Sequence, residues 1–89
     1  MTSVKDLLVN SLKELVKDEL EEFQWHLAKD HVCISKSDMK DANRLNTVDK
    51  MVACFGPEEA VKITVDILRK MNQNDLAKQL ENEHKKGNV

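Results

Sequence analysis

PEEAVKITVDILRKM, residues 57–71, is the stretch around which the rest of the chain can be arranged. Ala60, Val61, Ile63, Thr64, Val65, Ile67, Leu68 and Met71 are its uncharged positions, and on a 3.6-residue period they cover well over half the circumference. A helix on the surface shows a narrower apolar stripe, so this one is expected to be covered on several sides. Its start is marked by Gly56-Pro57. Gly56 can take the left-handed conformation that ends a preceding helix, and Pro57 suits a first helical position, where its missing N–H is not needed. Glu58 and Glu59 lie at the positive end of the helix dipole, and Arg69 and Lys70 at the negative end. The segment reads as the central helix of a small bundle.

Outward from it, Asn72 and Asn74 mark a break and a new cap, and Leu76, Ala77 and Leu80 supply the face of a last helix. That helix is expected to fray into the polar tail ENEHKKGNV, residues 81–89, which resembles the beginning of a linker. The domain is therefore placed at 1–80, with 81–89 as tail. On the other side, Val48, Met51, Val52 and Phe55 have helical spacing after a cap at Asn46 or Thr47. Residues 30–37, DHVCISKS, lose that periodicity and read as a loop anchored by Ile34, followed by a short helix at 38–44. Leu20, Phe23 and Leu27, flanked by Gln24 and Ala28, form the stripe of a helix that Asp18 caps and that runs to about Lys29. Val4, Leu7, Leu8, Leu12 and Leu15 give the first helix, with Ser3 and Asp6 as a capping box and Val9 and Lys13 turned away. No strand pattern or repeat is present. The expected architecture is five or six short helices with antiparallel neighbours.

Eighty-nine residues make one domain, and with 3% aromatics and no Tyr its core must be aliphatic. The net charge of −2 lacks the basic excess that a generic phosphate binder needs. No apolar run is long enough to span a bilayer, and Met1 is followed by polar residues rather than a signal core, so a cytoplasmic location is expected. The two cysteines are 21 positions apart (54 − 33) and are expected to be free thiols in a reducing compartment.

The residues of catalysis do not converge. His26, His31 and His84 are scattered, Cys33 stands only two residues from His31, and a structural zinc site would need four closely spaced ligands. There is no phosphate-binding glycine loop, no EF-hand and no Asp-Ser-Leu of an acyl carrier. Neither enzymatic activity nor a cofactor is expected. What remains is surface. Lys36, Lys40 and Arg44 recur every four residues as a basic row, with Lys50 nearby, while Asp18, Glu19, Glu21 and Glu22 make an acidic patch. Part of that patch serves the helix dipole. Trp25 falls about 165° from the Leu20/Phe23/Leu27 stripe on a helical wheel. It is either an exposed interface anchor or covered by the 32–34 loop. Opposite charges on separate faces suit head-to-tail association, which can grow into open assemblies. The alternative reading is a helical nucleic-acid binder using Lys36, Lys40 and Arg44.

LKELVKDELEEFQWHL at 12–27, then CISKSDMKDANR, TVDKMV and GPEEAVKITVDILRKMNQNDLAKQL, together resemble a pyrin domain of the death-fold superfamily. The most specific pieces are Glu19, Leu20 and Phe23, then Asp-Lys-Met-Val at 49–52, and the series Ala60, Val61, Ile67, Leu68, Met71, Asn72, Asp75, Leu76 and Ala77. The resemblance implies an all-α six-helix Greek-key bundle with a short third helix. It also implies homotypic pyrin–pyrin association in the cytosol, as in inflammasome assembly. The partners so implied are an ASC-type adaptor, the domain itself or a pyrin-containing caspase, with no nucleic acid or membrane. The domain is expected to stand at the front of a longer protein such as a NOD-like receptor.

In the family an acidic face on the first and fourth helices meets a basic face on the second helix and the loop after it. This chain departs from that pattern. Lys13 stands at the usual acid of the first helix, beside Glu14, while Glu21 and Glu22 stand at the usual bases of the second. Asn43 and Asn46 replace acids, leaving Asp49, and Lys36 keeps the family's sign. The contact residues expected are Asp6, Lys13, Glu14, Glu21, Glu22, Trp25, Lys36, Lys40, Arg44 and Asp49, with Lys13 facing Glu21 of the next copy.

Overall fold

A computed structural model describes residues 4–30, 34, 37 and 43–87. Five helices lie among the described residues: α1 Val4–Lys13, α2 Lys17–Asp30, α3 Arg44–Phe55, α4 Pro57–Lys70 and α5 Asn74–Gly87. The all-α class holds. Of the short helix expected at 38–44, residues 38–42 lie outside the described residues, while Asn43 and Arg44 belong to the start of α3; Ser3 of the first capping box also lies outside.

The central position of α4 follows from its sequence. Ala60, Val61, Thr64, Val65, Ile67 and Leu68 are all buried, and α4 packs against each of the other four helices. Thr64 is tolerated there because its hydroxyl donates to the Ala60 carbonyl at 2.7 Å, so no polar atom is left unmet. Leu8, Leu12, Phe23, Leu27, Val48, Met51, Ala77 and Leu80 close around it from the other helices. Ile34 is buried in the same core, so the loop anchor read from sequence is in place. Val9, expected to turn away, instead packs partly buried on the core edge.

The helix ends fall where the sequence reading did not place them. Glu19 Oε1 accepts the Val16 N–H at 3.1 Å, and the Val16 carbonyl takes the Leu20 N–H at 2.9 Å. Val16 is therefore the cap residue of α2, and Asp18 sits inside the first turn rather than capping it. Asn43, not Asn46 or Thr47, caps α3, its side-chain oxygen accepting the Asn46 N–H at 2.8 Å. The apolar period did not show this earlier start, because Leu45 in its first turn points outward. Gly56 takes φ +89° with an extended ψ of 159°, donates to the Val52 carbonyl and accepts from Ala60. One glycine thus ends α3 and starts α4. Asn72, at φ 64°, makes the left-handed turn between α4 and α5.

Two expectations are overturned. The last helix does not fray after Leu80 but continues to Gly87, because Glu81 pairs with Arg69 of α4 at 2.9 Å and Leu80 and His84 keep one face inward. Cys54 is not a free thiol; it is disulfide-bonded. Sequence spacing could not show this, since a disulfide depends on how close two cysteines come in space.

Candidate interaction surface

The outer face of α2 is built by exclusion. Leu20, Phe23 and Leu27 turn one side into the core, and Gln24 is held there by its Nε2 donating to Thr47 Oγ1 at 2.9 Å. The opposite side must face outward, and it carries Glu21, Glu22 and Trp25, all exposed. The indole is 47% accessible. It lies beneath Lys29 Nζ, 4.7 Å from the ring centroid, and edge-on to His26 at 5.0 Å. His26 in turn stands 3.9 Å from Glu22. The surface is an aromatic plate with carboxylates on one side and a cation above, an arrangement that presents area and charge without an enclosed cavity.

The second face joins α1 and α3. Asp6, Lys13 and Glu14 are exposed, and Asp49 is half-buried. Lys5 Nζ reaches Asp49 Oδ1 at 2.7 Å, tying the two helices and offsetting much of the charge on Asp49. Arg44 is turned inward. Its Nε donates to the Leu12 carbonyl at 2.8 Å and its terminal nitrogen to the Leu15 carbonyl at 2.6 Å. These carbonyls lie at and just beyond the end of α1, where a cation is favoured by the helix dipole as well; the Leu12 carbonyl also accepts the Leu15 N–H at 3.1 Å. Arg44 is thus bound to the chain itself rather than standing in an open basic row. Lys36 and Lys40 lie outside the described residues.

Val16 and Leu45 were missed as surface residues. They are 63% and 54% accessible and are the chain neighbours of Leu15 and Arg44, which meet at the clamp. Leu45 was legible only as an apolar residue off the Val48/Met51 period. Among the described residues no three His, Cys, Asp or Glu side chains gather as a metal site, and no helix is long and apolar enough to cross a membrane.

The family model of the PAAD/DAPIN/Pyrin domain matches residues 7–78, most of the chain and all of the faces just described except those residues before 7. The chain belongs to the pyrin-domain family. Pyrin from Rattus norvegicus is 38% identical over 80 residues, covering 84% of this chain and 11% of that protein. Caspase b from Danio rerio is 38% identical over 85 residues, covering 91% and 21%. Interferon-inducible protein AIM2 from Homo sapiens is 32% identical over 80 residues, covering 90% and 23%. The solution structure of the pyrin domain of human Pyrin superimposes with a TM-score of 0.87 at 29% identity, covering 94% of this chain and 99% of that one. The chain thus spans a quarter or less of these full-length relatives but nearly all of an isolated pyrin domain. As a pyrin domain it is a death-fold interaction module rather than a member of a known enzyme family.

Proposed function

We propose that this pyrin domain assembles homotypically, with copies of itself or with pyrin domains of an ASC-type adaptor or a caspase, in cytosolic inflammasome-type signalling. The observation that supports this is the outward Trp25 between carboxylates on α2, together with an exposed Lys13 on another helix of the same bundle. Complementary charges of this kind steer encounter and exclude wrong partners. The charge polarity is exchanged relative to the family pattern, so Lys13 of one copy pairs with Glu21 of the next. That a caspase is among the relatives fits a caspase-linked partner.

The test is light scattering of the isolated domain, with and without an adaptor pyrin domain. Lys13→Glu should abolish assembly, and Lys13→Glu with Glu21→Lys should restore it. A double variant as inert as the single one would rule the pairing out. The nucleic-acid alternative finds no support here: its row needs Arg44 outward, and Arg44 is bound to α1.

A further inference from the structure

We propose that the cleft between α1 and α5 is a docking slot for an arginine side chain carried by a protein other than a second copy of this chain. The two helices pack against each other. Each lends the cleft a stripe spaced i, i+3, i+4, i+7, beginning at Leu7 on α1 and at Leu76 on α5. The cleft holds about 200 Å³. That is below the roughly 300–1,000 Å³ of sites for drug-sized molecules, and it suits a single side chain.

The lining is rich in acceptors and includes no cation. Glu14 and Glu83 bring carboxylates, Asn10 and Gln79 amide oxygens, and Ser11 a hydroxyl. None of these five side chains has a hydrogen bond or ion pair among the described residues. Ser11 is the informative one. Buried Thr47 and Thr64 each donate their hydroxyl to a carbonyl one turn back, Asn43 and Ala60. Ser11 is only 8% exposed and makes no such bond, although it lines the cleft. A polar group so enclosed calls for a partner, and the cleft is where one can reach it. Leu7, Leu76 and Leu80 supply the wall along which the aliphatic stem of a long cationic side chain lies.

A guanidinium uses this set better than an ammonium. Its five N–H donors fan out in a plane and bridge carboxylate and amide oxygens, whereas an ammonium is a compact, strongly hydrated charge. A second copy cannot supply the group without breaking a bond of its own. The chain has two arginines, and both are engaged: Arg44 by the Leu12 and Leu15 carbonyls, and Arg69 by Glu81 at 2.9 Å. The arginine therefore comes from a different protein. This slot is separate from the Lys13/Glu21 pairing and does not rest on homotypic assembly. Glu14 is shared with the contact residues named above, so the test turns on Ser11 and Glu83.

The experiment titrates the isotope-labelled 89-residue chain, below its assembly concentration, with N-acetyl-arginine methylamide and follows backbone amides by NMR. The lysine and citrulline counterparts run in parallel. The arginine probe should bind saturably in the millimolar range and shift the amides of Asn10, Ser11, Gln79 and Glu83. Citrulline, of matching shape but uncharged, should bind about tenfold more weakly, and lysine about threefold. Glu83→Gln should weaken the arginine probe about fivefold and Ser11→Ala about threefold. Glu83→Gln should leave assembly in light scattering as it is in the wild type. Equal affinity for the three probes, shifts centred on Trp25 instead, or both variants binding like the wild type would overturn the proposal. Loss of assembly in Glu83→Gln would put the cleft inside the contact between copies and overturn the assignment to a different protein.

Discussion

Arg44 shows how a single residue changes meaning between sequence and structure. In sequence it extends the period of Lys36 and Lys40; in the fold its guanidinium closes the end of α1. Arg44→Ala removes charge-assisted bonds to two backbone carbonyls and should lower stability by about 2 kcal/mol. Urea unfolding would read this, and a loss below about 0.5 kcal/mol would mean the clamp is cosmetic. Trp25 is the opposite case. Being half open and touching mainly Lys29 and His26, it contributes little to the core. Trp25→Ala should change stability by under about 1 kcal/mol yet weaken assembly tenfold or so. The outward direction of Trp25 was readable from the wheel, because Phe23 and Leu27 leave no other choice. The inward turn of Arg44 was not, because the Leu12 and Leu15 carbonyls it meets are 32 and 29 residues away in sequence.

At the scale of elements, the junctions decide the geometry. Gly56 has a positive φ with extended ψ, a region closed to side chains with a Cβ, although no atom lies within 4 Å of where that Cβ would stand. Gly56→Ala should therefore cost about 1–3 kcal/mol through backbone strain alone, with no cavity or clash to relax. Thermal unfolding would measure it; a neutral outcome would show that the α3–α4 corner can re-form with another dihedral. Lys70, at the end of α4, is held protonated beyond its usual range by the hydrogen bond it donates to Asp30, then by that residue's charge, with Asp66 adding less. Because the folded value is raised, the stabilisation is fully present below 10.5 and is lost as pH rises above it. The stability difference between wild type and Lys70→Met should stay level from neutrality towards 10.5 and shrink beyond it. A difference that already falls near neutral pH would contradict the assignment.

For the whole molecule, α4 fixes how the charged outsides are presented, since α1, α2, α3 and α5 all rest on it. The proposed Lys13/Glu21 pairing belongs to this scale: both residues are exposed. Its signature is salt. Assembly of wild type should weaken as ionic strength rises through the range in which surface charges are screened. Assembly indifferent to salt would place its energy in apolar contacts such as Trp25 instead.

The central helix, the apolar faces of α1 and α2, the Gly56-Pro57 corner and the buried Ile34 were all legible in the chain because each depends on residues close in sequence: period, propensity and turn chemistry. The same order of motifs carried the family resemblance. Tertiary structure alone decided the continuation of α5 to Gly87, the Lys5–Asp49 tie, the Arg44 clamp and the bonded state of Cys54; the caps at Val16 and Asn43 are local bonds that the apolar period does not reveal. Most of these join groups on different helices, and their energies exist only once packing has brought distant charges, carbonyls or sulfur within reach.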